Sequence, residues 1–371
     1  MKICLCMIVK NEEKYIKIAI NSALKLVDMA VVVDTGSTDK TIDILKEFGE
    51  RVEIRHLQWS NDFAAARNYS LEGIDADWIL VLDGDERLIC DAQKIREKLI
   101  SSTVDGYDIV EESHMGGGAK GKAMAYVRLF RNKGYQYQRA IHEQLNINQS
   151  AVESLKESTC KIIHYGYLEQ NMKEKNKAKR NLDILLTELK KNPQDDFLYF
   201  HIGATYGAME EYKRSQEYYF KCLKLKQETG FNNFHFNLIK RIALNYFMLE
   251  EFEECRTFID KILTNKKCEG FVDLFFIKGL CFKAQKKYKE AERAFSHCLK
   301  IGEAGDFPTV YGRGSFLAKL ELARIYINTG EITLAASTYE EAIHDSHNQY
   351  KEGMDEYKKF LSENGLLRAS Q

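Results

Sequence analysis

The sequence predicts a fold in two parts, an α/β domain with a mostly parallel sheet over residues 1–170 and an all-α domain of helical repeats over residues 171–371. Two observations predict it. Up to about residue 170, apolar runs of strand length alternate with amphipathic segments of helix length, a pattern typical of βαβ units. After Asn171 these runs stop, and amphipathic segments of similar pattern follow one another, which is typical of helical repeats.

The first part contains four apolar runs that have the length of buried strands, with helical periodicity between them. Ligands of parallel sheets bind outside the carboxyl ends of the strands. Asp34 and Asp83 both lie at such ends, so the sequence predicts a binding site there. The predicted strands cover Ile3–Val9, Met29–Asp34, Val52–Leu57 and Trp78–Asp83, and the predicted helical segments cover Tyr15–Leu26, Thr41–Phe48 and Phe63–Leu71.

Four segments of the second part align on a small residue that an aromatic residue follows three positions later. Small residues let two helices touch and aromatic residues fill the groove between them, so we expect stacked helical hairpins. The pattern resembles the tetratricopeptide repeat, although the usual terminal proline is missing and the spacing is wider than about 34 residues. Three cysteines at packing positions are expected to be inert core thiols. The aligned pairs are Gly203/Tyr206, Ala243/Tyr246, Gly279/Phe282 and Ala323/Tyr326, and the cysteines are Cys222, Cys255 and Cys298.

Length, charge and cysteine usage exclude several classes of protein. The 371 residues carry a formal net charge of -1, which gives no overall attraction to nucleic acid. No apolar run approaches the roughly 20 residues that span a bilayer, and the stretch MKICLCMIVKNEE lacks the pattern of a signal peptide. Nine cysteines without a CxxC pair indicate neither a disulfide framework nor a zinc site. We expect a soluble, cytoplasmic protein with no nucleic-acid partner and no integral membrane segment.

An acidic tripeptide, Asp83-Gly84-Asp85, follows the apolar run WILVL. A buried carboxylate is costly without a partner, and two neighbouring carboxylates raise each other's pKa. A divalent cation removes that penalty, and carboxylate oxygens are ligands that Mg²⁺ and Mn²⁺ share with phosphate oxygens. Such tripeptides are common by chance, but this one accompanies Asp34 in VVVDTGSTDKT and Arg67 in NDFAAARNYSL. The combination indicates a metal and diphosphate site.

Together, MIVKNEEKYI, VVVDTGSTDKT, DFAAARN and WILVLDGDE resemble the nucleotide-binding half of family 2 glycosyltransferases, which have the Rossmann-like GT-A fold. With the repeats, the chain is similar to bacterial peptide and protein glycosyltransferases such as the sublancin-type S-glycosyltransferases. The segments AIHEQL and IIHYGY also occur in that group. The resemblance implies a UDP-sugar donor carrying a hexose or N-acetylhexosamine, Mn²⁺ or Mg²⁺ as cofactor, and a peptide or protein acceptor side chain (Cys, Ser or Thr).

The resemblance also assigns roles to the donor-site residues. Asp34 is expected to bind the uracil edge, Arg67 the base or diphosphate, and Asp83 the ribose or a metal-bound water. Asp85 is expected to ligate the metal, and Gly84 and Asp85 are expected to belong to the nucleotide-sugar site together with Asp83. The alternatives are a turn-stabilising role for Asp34, a helix-surface ion pair for Arg67 and a strand cap for the two aspartates. The uracil pocket is expected to be walled by Val9, Asn11 and Glu12.

An inverting transferase also needs a base that takes the acceptor's proton. Glu143 in RAIHEQL is the candidate, and the alternative is a solvent-facing strand glutamate. Its rivals are Asp108, Glu111 and Glu112 in YDIVEESH. A thiol acceptor ionises more readily than a hydroxyl and would depend less on this base.

Two further groups are candidates for the donor site. His164 in KIIHYGYLE could complete the metal shell beside Asp85, or it could be a buried hydrogen-bonding histidine. Lys179 and Arg180 belong to a basic run around a predicted helix start, where cations suit phosphate, or they lie on a solvated linker helix. The glycine-rich stretch HMGGGAKGK, residues 114–122, is expected to be a mobile loop over the acceptor side or a plain hairpin connection.

Three other functions remain as alternatives. One keeps the donor chemistry but uses a cell-envelope polysaccharide or lipid as acceptor. Another is a non-catalytic, peptide-binding repeat scaffold, which the set of Asp34, Arg67, Asp83 and Asp85 argues against. A nucleotidylyltransferase is disfavoured because VKNEEKY stands where a glycine-rich phosphate loop belongs. The repeats are expected to bind the acceptor or to pair two copies of the chain.

Overall fold

The computed structural model describes residues 1–113, 124–156, 158–165, 170–226, 233–303, 307–346 and 350–366. Its contacts divide the chain into two compact units, Met1–Glu188 and Leu189–Gln371. The division falls inside a long helix, Gln170–Lys191, whereas the sequence placed the boundary at residue 170. We describe each unit by itself.

The described part of the first unit contains a nine-stranded mixed sheet and a separate two-stranded sheet. Its parallel half has the order β3-β2-β1-β4, and β7, β6, β11 and β5 continue the sheet in that order, with β10 beside β6. β7 is antiparallel to both β4 and β6, and β5 is antiparallel to β11. The strands are β1 (Ile3–Val9), β2 (Met29–Asp34), β3 (Val52–His56), β4 (Trp78–Val81), β5 (Glu86–Cys90), β6 (Gly106–Ser113), β7 (Met124–Arg131), β8 (Tyr137–Gln138), β9 (Gln144–Leu145), β10 (Val152–Ser154) and β11 (Cys160–His164).

Among the residues that the structure describes in the first unit, four helices connect the strands, and a fifth, longer helix follows the last strand. The buried residues of α1 are Ile16, Ala19, Ile20 and Ala23, the spacing of one helix face, and they share a core cluster with Leu5 of β1. Full burial of each large apolar side chain contributes about 1.5–3 kcal/mol. The helices are α1 (Ile16–Ala23), α2 (Thr41–Lys46), α3 (Phe63–Leu71), α4 (Ala92–Ile100) and α5 (Gln170–Lys191).

The position of β1 between β2 and β4 brings together the strand ends at which the sequence predicts a binding site. β1 pairs in parallel with both neighbours, and its last residue, Val9, lies opposite Asp34. The carboxyl ends of the three strands therefore open onto the same edge of the sheet, where the strand order switches direction. The predicted β1 and β2 match the observed strands, while β4 ends at Val81 and leaves Asp83 in the following turn.

Paired helices make up the second unit, as the repeat pattern predicted. A Cβ on Gly203 would lie 2.7 Å from the Tyr219 ring, and a Cβ on Gly279 would lie 2.8 Å from the Phe295 ring. Each glycine therefore permits close contact between the two helices of its pair. Cys222, Cys255 and Cys298 are buried free thiols. The helices are α6 (Asp196–Ala208), α7 (Tyr212–Lys226), α8 (Asn233–Met248), α9 (Phe252–Leu263), α10 (Val272–Ala284), α11 (Tyr288–Ile301), α12 (Phe316–Thr329), α13 (Ile332–Asp345) and α14 (Lys351–Glu363).

The structure confirms the predicted fold class, a Rossmann-like sheet domain followed by helical repeats. Among the residues that it describes, no helix is both long and apolar enough to cross a bilayer.

Candidate active site at the strand ends

Asp34 shapes the turn that follows β2. Its carboxylate oxygens accept hydrogen bonds from the backbone N–H groups of Gly36 at 3.1 Å and Ser37 at 3.1 and 3.2 Å. Gly36 has a φ of 100°, a backbone conformation that favours glycine. The side chain of His56 lies 3.6 Å from the same carboxylate. Asp34 thus has the turn-stabilising contacts, and its uracil-binding role stays a prediction.

The segment after β1 joins the Asp34 turn to the acidic tripeptide. The Asn11 backbone N–H donates to Ser37 Oγ at 2.9 Å, and Asn11 Oδ1 accepts from the Thr38 N–H at 2.7 Å. Glu12 packs against Gly84 so closely that a Cβ on Gly84 would lie 2.6 Å from Glu12 Cγ. The three strand-end loops therefore form one connected surface. Val9 lies beneath it and uses its carbonyl oxygen to accept from Thr35 N and Oγ1, each at 3.0 Å.

Arg67 connects two carboxylates that are distant in sequence. Its Nη2 donates to Asp83 Oδ1 at 2.7 Å, and its Nε donates to Glu143 Oε1 at 2.7 Å. Arg67 is only 8% exposed, so burial works to lower its pKa, but the charges of Asp83 and Glu143 raise the pKa well above the ordinary value. Burial likewise works to raise the pKa of Asp83, but the charges of Arg67 and Arg128 outweigh it and hold the pKa below its usual range. Arg67 and Asp83 are therefore both charged at neutral pH.

Local structure explains how Arg67 reaches this position. The α3 N-cap is Asp62, whose side chain accepts from the Ala65 N–H, and the Phe63 N–H donates to the Ala140 carbonyl. Asn68, the next residue after Arg67, uses its side-chain amide to pair with both backbone groups of Tyr137, at 2.7 and 2.9 Å. These contacts hold α3 against the segment that carries Glu143.

The loop that carries Glu143 has unusual backbone geometry. Arg139 and His142 have φ angles of 76° and 53°, which L-residues rarely adopt. Such conformations persist where the surrounding structure enforces them, and they cluster at functional sites. Burial lowers the pKa of His142, which favours the neutral imidazole beside Glu143.

Asp85 and His164 form the second part of the site. His164 Nε2 lies 3.1 Å from Asp85 Oδ2, and the Tyr165 N–H donates to the Asp85 carbonyl at 2.9 Å. Burial works to lower the pKa of His164, but its hydrogen bond to Asp85 raises it. A carboxylate and an imidazole that converge in this way fit Mn²⁺ or Mg²⁺, although no group of three or more protein ligands occurs among the described residues. Donor phosphate oxygens and water would supply the remaining ligands.

Two neighbouring residues, Glu86 and Arg128, are absent from the sequence-based predictions. Glu86 is 1% exposed, accepts a 2.8 Å hydrogen bond from the Asp83 N–H and contacts Arg128 Nη2 at 2.7 Å. Burial raises the pKa of Glu86 to about 7, although the charge of Arg128 opposes the increase. An arginine inside the otherwise apolar stretch MAYVRLF was the signal available in the sequence.

The rival bases lie on β6. Glu111 contacts Arg128 at 3.0 Å, and Glu112 contacts Lys161 at 3.2 Å. Burial raises the pKa of Asp108. Glu111 therefore belongs to the Arg128 cluster, while Glu112 has a different partner.

The basic run and the glycine-rich stretch contribute less to the described site. Helix α5 begins at Gln170, so Lys179 and Arg180 lie in its third turn rather than at its N-terminus. The Arg180 guanidinium lies 5.3 Å from the centre of the Phe63 ring, and Lys179 is exposed. The binding of phosphate by either residue stays a prediction. Residues 114–122, the predicted acceptor-side loop, lie outside the described residues.

Comparison with known families defines the class of protein to which these domains belong. Residues 4–154 match the model of glycosyl transferase family 2, and residues 198–229 and 318–344 match the tetratricopeptide repeat model. The chain therefore carries a family 2 glycosyltransferase domain followed by tetratricopeptide repeats, as the motifs predicted.

Particular relatives share parts of this arrangement. A TPR repeat-containing protein of Synechococcus elongatus is 31% identical over 232 residues, which cover 60% of this chain and 57% of that protein. The SPbeta prophage-derived glycosyltransferase SunS of Bacillus subtilis is 27% identical over 227 residues, which cover 58% of this chain and 52% of SunS. The chain thus spans just over half the length of these two relatives. Among solved structures, the type IV pilus biogenesis factor PilW aligns with a TM-score of 0.41 and 15% identity, over 52% of this chain and 81% of PilW.

Proposed function

We propose that this protein is a metal-dependent, inverting glycosyltransferase that moves a hexose or an N-acetylhexosamine from a UDP-sugar to a Cys, Ser or Thr side chain of a peptide or protein. The observation that carries the proposal is the contact of Arg67 with both Asp83 and Glu143 at the strand ends of a family 2 domain. It brings the acidic tripeptide, on the donor side, next to a carboxylate suited to act on the acceptor.

The donor binds across the connected strand-end loops. Asp34, Asn11 and Glu12 line the uridine side, and Arg67 supplies positive charge near the diphosphate. The charge of Arg67 is already divided between two carboxylates, so the site needs a further cation to accept a diphosphate. Asp85 and His164 would hold a divalent ion, which would supply that charge and stabilise the departing diphosphate.

Glu143 acts on the acceptor. Arg67 contacts Glu143 Oε1, and Oε2 takes the proton from the acceptor hydroxyl or thiol. The acceptor oxygen or sulfur then forms its bond to the sugar C1 from the side opposite the leaving group. The bond between C1 and the diphosphate oxygen breaks, and UDP leaves with the electron pair. The repeats bind the peptide or protein that presents the acceptor.

Thermal shift measurements with UDP and Mn²⁺ test the donor site. The wild-type melting temperature should rise with UDP plus Mn²⁺ by more than with Mn²⁺ alone, and Asp85→Ala should abolish the difference. Glu153→Gln, which removes an exposed carboxylate that contacts Lys98, is the matched control and should respond like the wild type. No response to any nucleotide would contradict the enzyme proposal and favour a repeat scaffold.

A donor screen with mass spectrometry then tests the reaction. Peptides encoded beside this gene are incubated with UDP-hexoses and UDP-N-acetylhexosamines, and the product should gain the mass of one sugar on a Cys, Ser or Thr. Transfer of the sugar to a polysaccharide or lipid but to no peptide would show that the acceptor is not a peptide and would leave only the donor part of the proposal.

A further inference from the structure

Arg128 occupies an irregular position in the sheet. Along the β6–β7 ladder, Tyr107 pairs with Leu129 and Asp108 pairs with Val127, so Arg128 is the extra residue of a β-bulge. β4 does not pair with it either, because the β4–β7 ladder stops at Leu80 and Leu129. A bulge re-aims the side chain of its extra residue and is frequent next to active sites.

The bulge directs Arg128 toward the turn that follows β4. Arg128 Nη2 donates to Glu86 Oε1 at 2.7 Å and to Glu111 Oε2 at 3.0 Å. The other oxygen of Glu86, Oε2, accepts the backbone N–H of Asp83 at 2.8 Å. One carboxylate thus connects the guanidinium to the backbone at the first residue of the acidic tripeptide.

Burial makes this connection rigid and dependent on charge. The side chains of Arg128 and Glu86 are 11% and 1% exposed, so water cannot replace either partner. Burial works to lower the pKa of Arg128, but the charges of Glu86 and Asp83 raise it above its ordinary value, which keeps the guanidinium charged. Without Arg128, Glu86 Oε1 would lose its hydrogen-bond partner in a buried place, and the side chain would shift and weaken its contact with the Asp83 N–H.

We propose that Arg128 is a positioning residue for the nucleotide-sugar: through Glu86, it holds the Asp83–Asp85 turn in the geometry that receives the diphosphate. This inference rests on the proposed function. Arg128 acts through Glu86 and the Asp83 backbone and does not touch the reacting atoms.

Isothermal titration calorimetry of the full-length chain with UDP, in the presence of Mn²⁺, measures the UDP affinity that tests the inference. Arg128→Met should weaken UDP binding in the presence of Mn²⁺ about 10–100-fold, the range typical of residues that hold the protein ligands of a metal in place. Arg128→Lys should recover part of the loss because it keeps the charge. Arg131→Met is the control, since Arg131 lies on the same strand and donates to the Val104 and Ser102 carbonyls away from the site. Its UDP affinity should be unchanged.

A second pair of variants covers the case in which Arg128→Met does not fold. Glu86→Gln keeps an acceptor for the Asp83 N–H and should retain more UDP affinity than Glu86→Ala. Equal affinities in these two variants, or an Arg128→Met protein that is folded and binds UDP as the wild type does, would overturn the inference and leave the proposed function standing. A wild-type protein that binds no UDP would remove both.

Discussion

Arg67 and Glu143 are 76 residues apart in the sequence, yet Arg67 Nε donates a 2.7 Å hydrogen bond to Glu143 Oε1. The same guanidinium contacts Asp83, so three charges from three separate segments meet at one point. A partly buried glutamate held by an arginine has a fixed orientation, which a proton acceptor requires.

The first prediction concerns Glu143. Glu143→Gln keeps an acceptor for Arg67 but removes the basic oxygen, so kcat for a hydroxyl acceptor should fall about 10²–10⁴-fold while UDP affinity changes little. For a thiol acceptor the loss should be smaller, because a thiol ionises more readily. Steady-state kinetics with the peptide found in the donor screen measure both quantities.

Glu111→Gln is the comparison for this experiment. Glu111 contacts Arg128 rather than Arg67, and its amide variant should retain most of the transfer rate. The base assignment would be wrong if Glu111→Gln were the inactive variant and Glu143→Gln the active one.

The second prediction concerns the stability of the first unit. Arg67→Met leaves Asp83 and Glu143 without their shared cation and should lower the free energy of unfolding by about 3 kcal/mol. Adding Asp83→Asn should restore part of that loss, because one of the two uncompensated charges disappears. Both tryptophans, Trp59 and Trp78, lie in this unit, so tryptophan fluorescence during urea unfolding reports on it alone. An additive double variant would show that Arg67 and Asp83 do not interact.

Gly84 gives the third prediction. A Cβ at this position would lie 2.6 Å from Glu12 Cγ, so Gly84→Ala should displace Glu12 or the turn and weaken UDP binding. In a Glu12→Ala background, which lacks the nearest atom, Gly84→Ala should cost less UDP affinity than it does in the wild type. Gly134→Ala is the control, because Gly134 has a φ of 79° but no atom within 4 Å of the added Cβ. Gly134→Ala should lose stability without losing UDP affinity, whereas equal effects of the two alanines on binding would contradict a specific contact.

The fourth prediction concerns the last helix of the second unit. Glu356 on α14 accepts two hydrogen bonds from Arg324 on α12, at 2.9 and 2.6 Å, and a third from the Tyr339 hydroxyl on α13 at 2.7 Å. Burial works to raise the pKa of Glu356, but the hydrogen bonds from Arg324 and Tyr339 lower it. The contribution of Glu356 to stability is therefore complete above its ordinary pKa of about 4.3 and is lost as the pH falls through the lower folded value.

Hydrogen exchange of the α14 amides, corrected for intrinsic rates, measures this dependence. Protection of residues 351–363 should fall between pH 5 and pH 3, and Glu356→Gln should show weak protection at both values. Glu363→Gln removes an exposed i,i+4 partner of Lys359 and should behave like the wild type, because such pairs contribute about 0.3–0.5 kcal/mol. A Glu356→Gln protein with wild-type protection at pH 5 would contradict the prediction.

Particular residues show where sequence reasoning succeeded and where it stopped. β1 and β2 were predicted with their observed bounds, because continuous apolar runs bounded by polar turns carry a strong local signal. Asp83 and Arg67 are predicted as site residues from motifs whose residues are close in sequence, and their roles stay predictions. Arg128 was missed, because its proposed role depends on a one-residue shift between β6 and β7 that no local pattern encodes. Glu86 was missed for a related reason, since its importance comes from burial and from a partner 42 residues away.

By itself, the sequence determined the alternation of strands and helices, the change to helical repeats and the placement of acidic residues at strand ends. Those features follow from periodicity and from the chemistry of single residues, which act locally. Only the tertiary structure decided which charges meet: Arg67 with Asp83 and Glu143, Asp85 with His164, and Arg128 with Glu86. Coulombic attraction and hydrogen bonding depend on distance in space and on burial, and the packing of the whole sheet sets both.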